Sequence, residues 1–148
     1  MKDIKKYTVQ LVRESEIQYS GETITSPKQG MKIINQIFNM SNQPTEIFVL
    51  LALDAKKYPV GCFLVSQGTI NCTIVSPRDV FQRALLANAH SIIVAHNHPS
   101  GDPTPSKEDK NVTQNIRDIG EIMRIELVDH IIFGDEERYF SFAEQKLI

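Results

Sequence analysis

Two short runs limit the folds open to this chain. Residues 46–53 (EIFVLLAL) are apolar at every position after the glutamate, and residues 91–95 (SIIVA) at every position after the serine. Neither alternates between apolar and polar residues, so neither is a strand with one wet face. No run in the chain approaches the ~18–20 apolar residues that cross a bilayer. At this length both read as strands covered on two faces, which demands a layer above and a layer below.

The rest of the chain supplies those layers. Ser26-Pro27 joins a helix N-cap to a proline at the first helical position. Met31, Ile34, Ile37 and Phe38 then follow at helical spacing to about Met40, where Asn42, Gln43 and Pro44 stop the helix. Ser76-Pro77 repeats the signal and starts a helix to about Asn88. A third helix begins at Ser106 and carries Val112, Ile116, Ile119 and Met123. Residues 5–15 alternate, with Tyr7, Val9 and Leu11 on one face, and read as a strand. Residues 58–66 and 69–76 read as strands joined at a Gln67-Gly68 turn, and 125–133 (IELVDHIIF) and 138–142 (RYFSF) as the closing strands. This order predicts an α/β fold, an α+β sandwich with a central mixed sheet flanked by helices.

The chain's 148 residues make one domain, 1–148. With 41% hydrophobic and 23% charged residues it is neither disordered nor collagen-like. Sixteen basic against 18 acidic side chains give a net charge of −2. No basic excess is available for salt-sensitive phosphate binding, so no strong nucleic-acid binding is expected. The N-terminal MKDIKKYTVQLVRESE lacks the apolar core of a secretory signal. The only cysteines are Cys62 and Cys72. Across a two-residue turn Cys62 would face Thr73 and Cys72 would face Phe63, on opposite sheet faces, so no disulfide is expected. A reduced, cytoplasmic protein with no membrane partner is the expectation.

The stretch richest in chemistry runs from His96 to Asp109 (HNHPSGDPTPSKED). His96 and His98 are two residues apart at a strand end. If the chain stays extended through Asn97, both imidazoles point to one side. Asp109 lies one turn into the next helix, and the Pro99–Pro105 loop can fold it back. Two imidazole nitrogens and a carboxylate oxygen suit Zn²⁺, and three protein ligands leave a fourth position for water. Ser106-Lys107-Glu108-Asp109 also reads as a capping box, and taken alone those two residues are helix caps. His130, after Asp129 in a strand, reads equally as a partner of the site and as a hydrogen-bonded core histidine. His90 reads as a favourable charge at a helix C-terminus, and Gly101 as a positive-φ position in the ligand loop.

The spacing H-x-H-x7-S-x2-D, filled by His96, His98, Ser106 and Asp109, resembles the JAMM (MPN+) metallopeptidase signature. The segments TEIFVLLALDAKK (45–57), SPRDVFQRALLANAHSIIVAHNHPSGDPTPSKED (76–109), LVDHIIFGD (127–135) and YFSFAEQKLI (139–148) resemble its RadC branch, over roughly residues 5–148. The resemblance implies a JAMM/MPN, cytidine deaminase-like architecture with one zinc per chain on His96, His98 and Asp109. It also implies a general-base glutamate from an upstream strand, whose position Glu46 occupies. The residues by themselves leave Asp54, Asp102 and Glu108 open for that role. Ser106 would stabilise the oxyanion. The implied activity is a zinc-dependent hydrolase, a metallopeptidase or isopeptidase acting on a peptide or protein. A DNA-repair-associated role and a non-catalytic interaction module are the alternatives, and the filled signature counts against the second. RadC proteins often carry a helix-hairpin-helix segment ahead of this domain. None is read here, which removes the usual DNA-contacting element from the expectation.

Overall fold

The computed structural model describes residues 1–68, 75–135 and 138–148. Its elements run α1 (Pro27–Phe38), β1 (Ile47–Leu53), β2 (Pro59–Gln67), α2 (Pro77–Leu86), β3 (Ser91–Asn97), α3 (Lys107–Met123), β4 (Glu126–Phe133) and β5 (Tyr139–Ser141), with a short 3₁₀ turn at Met40–Asn42. The five strands form one sheet in the order β2-β1-β3-β4-β5. β1 is antiparallel to β2 and β3, β4 is antiparallel to β5, and β3 and β4 are parallel. This is the mixed sheet flanked by helices that the sequence predicts.

The two apolar runs form the middle of the sheet, and β1 and β3 are buried at all seven positions each. Alternate residues go to different cores. Val49, Leu51, Ile93 and Ile131 pack under α1 through Met31 and Ile34. Phe48, Leu50, Ala52, Ile92 and Val94 pack under α2 and α3 through Val80, Phe81, Ala84, Val112 and Ile116. Each fully buried Leu or Ile contributes about 1.5–3 kcal/mol by leaving water. The helix starts follow their signals. The Ser26 hydroxyl accepts from the Gln29 N–H at 3.3 Å, and Ser76 from the Arg78 N–H at 3.2 Å.

Four expectations are corrected. Residues 5–15 form no strand, and Tyr7, Val9 and Leu11 are 80%, 73% and 49% exposed. Alternation makes a strand only where a sheet edge accepts its backbone, and no described strand pairs with this segment. β3 runs two residues beyond its apolar run, through His96 and Asn97, because both polar side chains find partners inside. α2 ends at Leu86, so His90 lies beyond the helix, its N–H bonded to Leu53 O at 2.9 Å. Val75 and Ser76 are not in a strand. The remainder of that proposed strand, with the placement of Cys72, lies outside the described residues. Cys62 sits on β2 opposite Leu51 of β1.

Among the described residues no helix is long and apolar enough to cross a membrane. The β3–α3–β4 crossover brings the carboxyl end of β3 to the amino end of α3, joined by residues 98–106.

Candidate metal centre

His96 lies on β3 opposite Phe48 of β1, is fully buried, and stacks on the Phe48 ring at 5.9 Å between centroids. His98 follows the end of β3 but is still held beside β4, its N–H donating to Phe133 O at 2.8 Å. Extended geometry therefore persists through Asn97. Both imidazoles point to one side, and their Nε2 atoms are 3.0 Å apart.

The loop then turns at Gly101, whose φ of +85° favours glycine. A Cβ there would stand 2.6 Å from Asp135 Oδ2. The Gly101 N–H donates to His98 O at 2.9 Å, and its carbonyl accepts from the Asp135 N–H at 3.0 Å and the Arg138 guanidinium at 2.8 Å. These bonds return the chain toward the sheet and start α3 beside the histidines.

Asp109, the third residue of α3, is fully buried. Its Oδ2 accepts the Ser106 N–H at 2.7 Å while the Ser106 hydroxyl accepts the Asp109 N–H at 3.0 Å, a complete capping box. The same carboxylate faces both imidazoles, with Oδ1 3.1 Å from His96 Nε2 and Oδ2 3.3 Å from His98 Nε2. Capping and site membership are thus not alternatives, because the group has two oxygens with several lone pairs.

One ligand atom from each of His96, His98 and Asp109 falls within 4.8 Å of the other two. His98 Nδ1 lies 2.8 Å from Asp102 O, which can only accept. The Nδ1 hydrogen goes there, so the neutral ring presents its Nε2 lone pair inward. The Asp109 carboxylate raises the His98 pKa, with the Asp102 carbonyl and the charge of Glu46 adding and partial burial opposing. Two nitrogens and an oxygen are a donor set that zinc accepts, so the residues fit the metal.

Behind His96 lies a second set of contacts. Its Nδ1 is 2.8 Å from His130 Nε2 on β4. His130 is fully buried between the edge of Phe48 and the face of Phe142. Burial, with His96 beside it, pushes its pKa well below the usual range. His130 Nδ1 is 2.6 Å from Thr113 Oγ1, which is 2.6 Å from the backbone carbonyl of Asp109. Both sequence readings of His130 therefore hold, since it is a core histidine that touches the site. Thr113 was not read from the sequence. Its signal is its place one helical turn after Asp109.

Glu46 immediately precedes β1 and is 9% exposed. Alternation from Phe48 places it on the face that carries His96, and its charge is felt at His98. Its two neighbours are held by one side chain. Asn97 Oδ1 accepts the Ile47 N–H at 2.8 Å, and Asn97 Nδ2 donates to Thr45 O at 3.1 Å. Of the other carboxylates open for the base, Asp54 accepts the Lys56 and Tyr58 N–H groups at the far end of β1. The Asp102 carboxylate is held by the Thr104 N–H and hydroxyl, and Glu108 is exposed on α3.

The family model described as the RadC-like JAB domain matches residues 24–147. That match begins at Ile24, a buried residue whose N–H donates to Lys57 O at 3.0 Å. A UPF0758 protein of Clostridium beijerinckii is 44% identical over 125 residues, covering 84% of this chain and 53% of that protein. One from Geobacillus sp. is 42% identical over 134 residues, covering 90% and 58%. One from Thermotoga maritima is 47% identical over 100 residues, covering 68% and 45%. The chain spans about half the length of the curated relatives it matches.

Proposed function

This chain belongs to the RadC-like JAB domain family, and on that premise we propose that it is a zinc-dependent hydrolase that cleaves an amide bond in a peptide or protein. The convergence of His96, His98 and Asp109 within 4.8 Å carries the reading. One zinc per chain, held by those three side chains, supplies a Lewis acid and lowers the pKa of a water to about 7.

The chain's own groups do the rest. Glu46 takes a proton from the attacking water and passes it to the leaving amine. The Ser106 hydroxyl already accepts the Asp109 N–H, so its proton is the part left to donate. Given to the carbonyl oxygen as charge develops, that hydrogen bond contributes about 3–4 kcal/mol of transition-state stabilisation. Asn97 fixes the backbone on both sides of Glu46 and so sets where its carboxylate stands. His96 and Asp109 are sealed, whereas Ser106 is exposed and the His98 side chain is 18% exposed, so substrate approaches from their side. A cytoplasmic setting and a peptide rather than a nucleic-acid substrate complete the proposal, in keeping with the net charge of −2.

A peptide-library cleavage screen of the zinc-loaded protein tests it. Amide cleavage that stops on chelation and returns with zinc is the expected result. Cleavage unaffected by metal removal, or none across the library at full zinc occupancy, overturns the reading.

A further inference from the structure

The contacts behind His96 admit one arrangement of hydrogens when every donor is matched to an acceptor. The Asp109 carbonyl can only accept, so at 2.6 Å the Thr113 hydroxyl donates to it. The Thr113 oxygen then has only lone pairs to offer His130 Nδ1, also 2.6 Å away, and that nitrogen must carry a hydrogen. His130 lies among Phe48 and Phe142. A neutral ring with its hydrogen on Nδ1 presents a bare Nε2 to His96 Nδ1 at 2.8 Å. His96 must donate from Nδ1, and its own Nε2 is left bare toward His98 and Asp109.

We propose that Thr113 and His130 are positioning residues that set the tautomer of His96, so that its metal-facing nitrogen is held free of hydrogen before the ion arrives. The proposal rests on the metal-centre reading above and deepens it. The relay starts at the backbone of one ligand, Asp109, and ends on the ring of another, His96. It therefore ties the helix that supplies the carboxylate to the strand that supplies the imidazole. Thr113 is 2% exposed, and His96 and His130 are fully buried, so water does not compete for these bonds.

Replacing Thr113 by valine keeps the shape and removes the oxygen. His130 Nδ1 then faces a methyl group, and the ring gains by moving its hydrogen to Nε2, where His96 Nδ1 can accept it. His96 must in turn carry its hydrogen on Nε2, the atom the metal needs. Loss of such an outer partner lowers metal affinity by about 10–100-fold.

The test is the ¹⁵N NMR of the imidazoles in metal-free protein above their titration range, together with zinc affinity measured by chelator competition. The wild type should show His96 with its hydrogen on Nδ1. Thr113→Val should show it displaced to Nε2, with the affinity loss above, and Thr113→Ser should restore both. A wild-type His96 carrying hydrogen on Nε2 overturns the proposal without any variant, so a failure of Thr113→Val to fold does not shelter it. An unchanged tautomer and unchanged affinity in a folded Thr113→Val also overturn it. Absence of zinc uptake by the wild type overturns the metal reading instead, and the wild-type tautomer still decides the relay.

Discussion

Asn97→Ala is the substitution whose cost the structure specifies most closely. The Asn97 side chain is 2% exposed and bridges the start of β1, accepting the Ile47 N–H at 2.8 Å and donating to Thr45 O at 3.1 Å. Alanine leaves the buried Ile47 N–H without this acceptor, which costs about 1–3 kcal/mol, and loses a second bond worth about 0.5–1.5 kcal/mol. A total of about 2–4 kcal/mol is expected. For a small protein the urea dependence is roughly 1–3 kcal/mol per molar, so at a mid-range value of about 2 the unfolding midpoint should fall by about 1–2 M. Asn97→Asp keeps the acceptor but sets a carboxylate oxygen against the Thr45 carbonyl, and should unfold between the two. His96 and His98 flank Asn97 but do not use its side chain, so on the proposed function both variants should retain zinc while turnover falls with the loss of Glu46's anchor. An Asn97→Ala protein with the wild-type urea midpoint would refute the reasoning, as would one that loses zinc without losing stability.

Glu46→Gln should keep zinc and lose roughly 10²–10⁴-fold in turnover, the contribution of a positioned acid–base group; unchanged kcat on a cleaved peptide would remove Glu46 from the mechanism. Gly101→Ala forces a side chain into φ +85° beside Asp135, which should cost about 1–3 kcal/mol. A melting temperature unchanged from wild type would contradict that strain. The raised pKa of His98 carries a sign. Its stabilising contribution to metal-free protein is full below the unfolded value of about 6.5 and is lost as pH rises through the raised folded value. The wild-type advantage over His98→Gln in urea should therefore shrink with rising pH, and an advantage that grows would contradict the assignment.

How much of this was legible in the sequence depends on how far apart the interacting residues lie. β1 and β3 could be read because seven consecutive buried positions leave a local mark, and the helix starts because Ser26, Ser76 and Ser106 cap within three residues. Residues 5–15 carry an equally local mark and misled, because pairing needs a partner edge that alternation cannot supply. The extension of β3 through His96 and Asn97 was hidden because apolarity stops at Ala95 and the partners of those side chains come from elsewhere in the chain. His96, His98 and Asp109 lie within 14 consecutive residues, and their spacing announced them. The hold of Asn97 on Ile47 spans 50 residues and the contact of Thr113 with His130 spans 17, so neither leaves a pattern in either segment. Both exist only once β1 and β4 lie on either side of β3.

Elemental analysis of the purified protein decides whether His96, His98 and Asp109 hold one metal ion, as proposed. About one zinc per chain is expected in the wild type, with a sharp loss in His98→Ala, which removes one of three side chains whose donor atoms lie within 4.8 Å of one another. A folded His98→Ala protein that still binds a full equivalent of zinc would contradict the proposal.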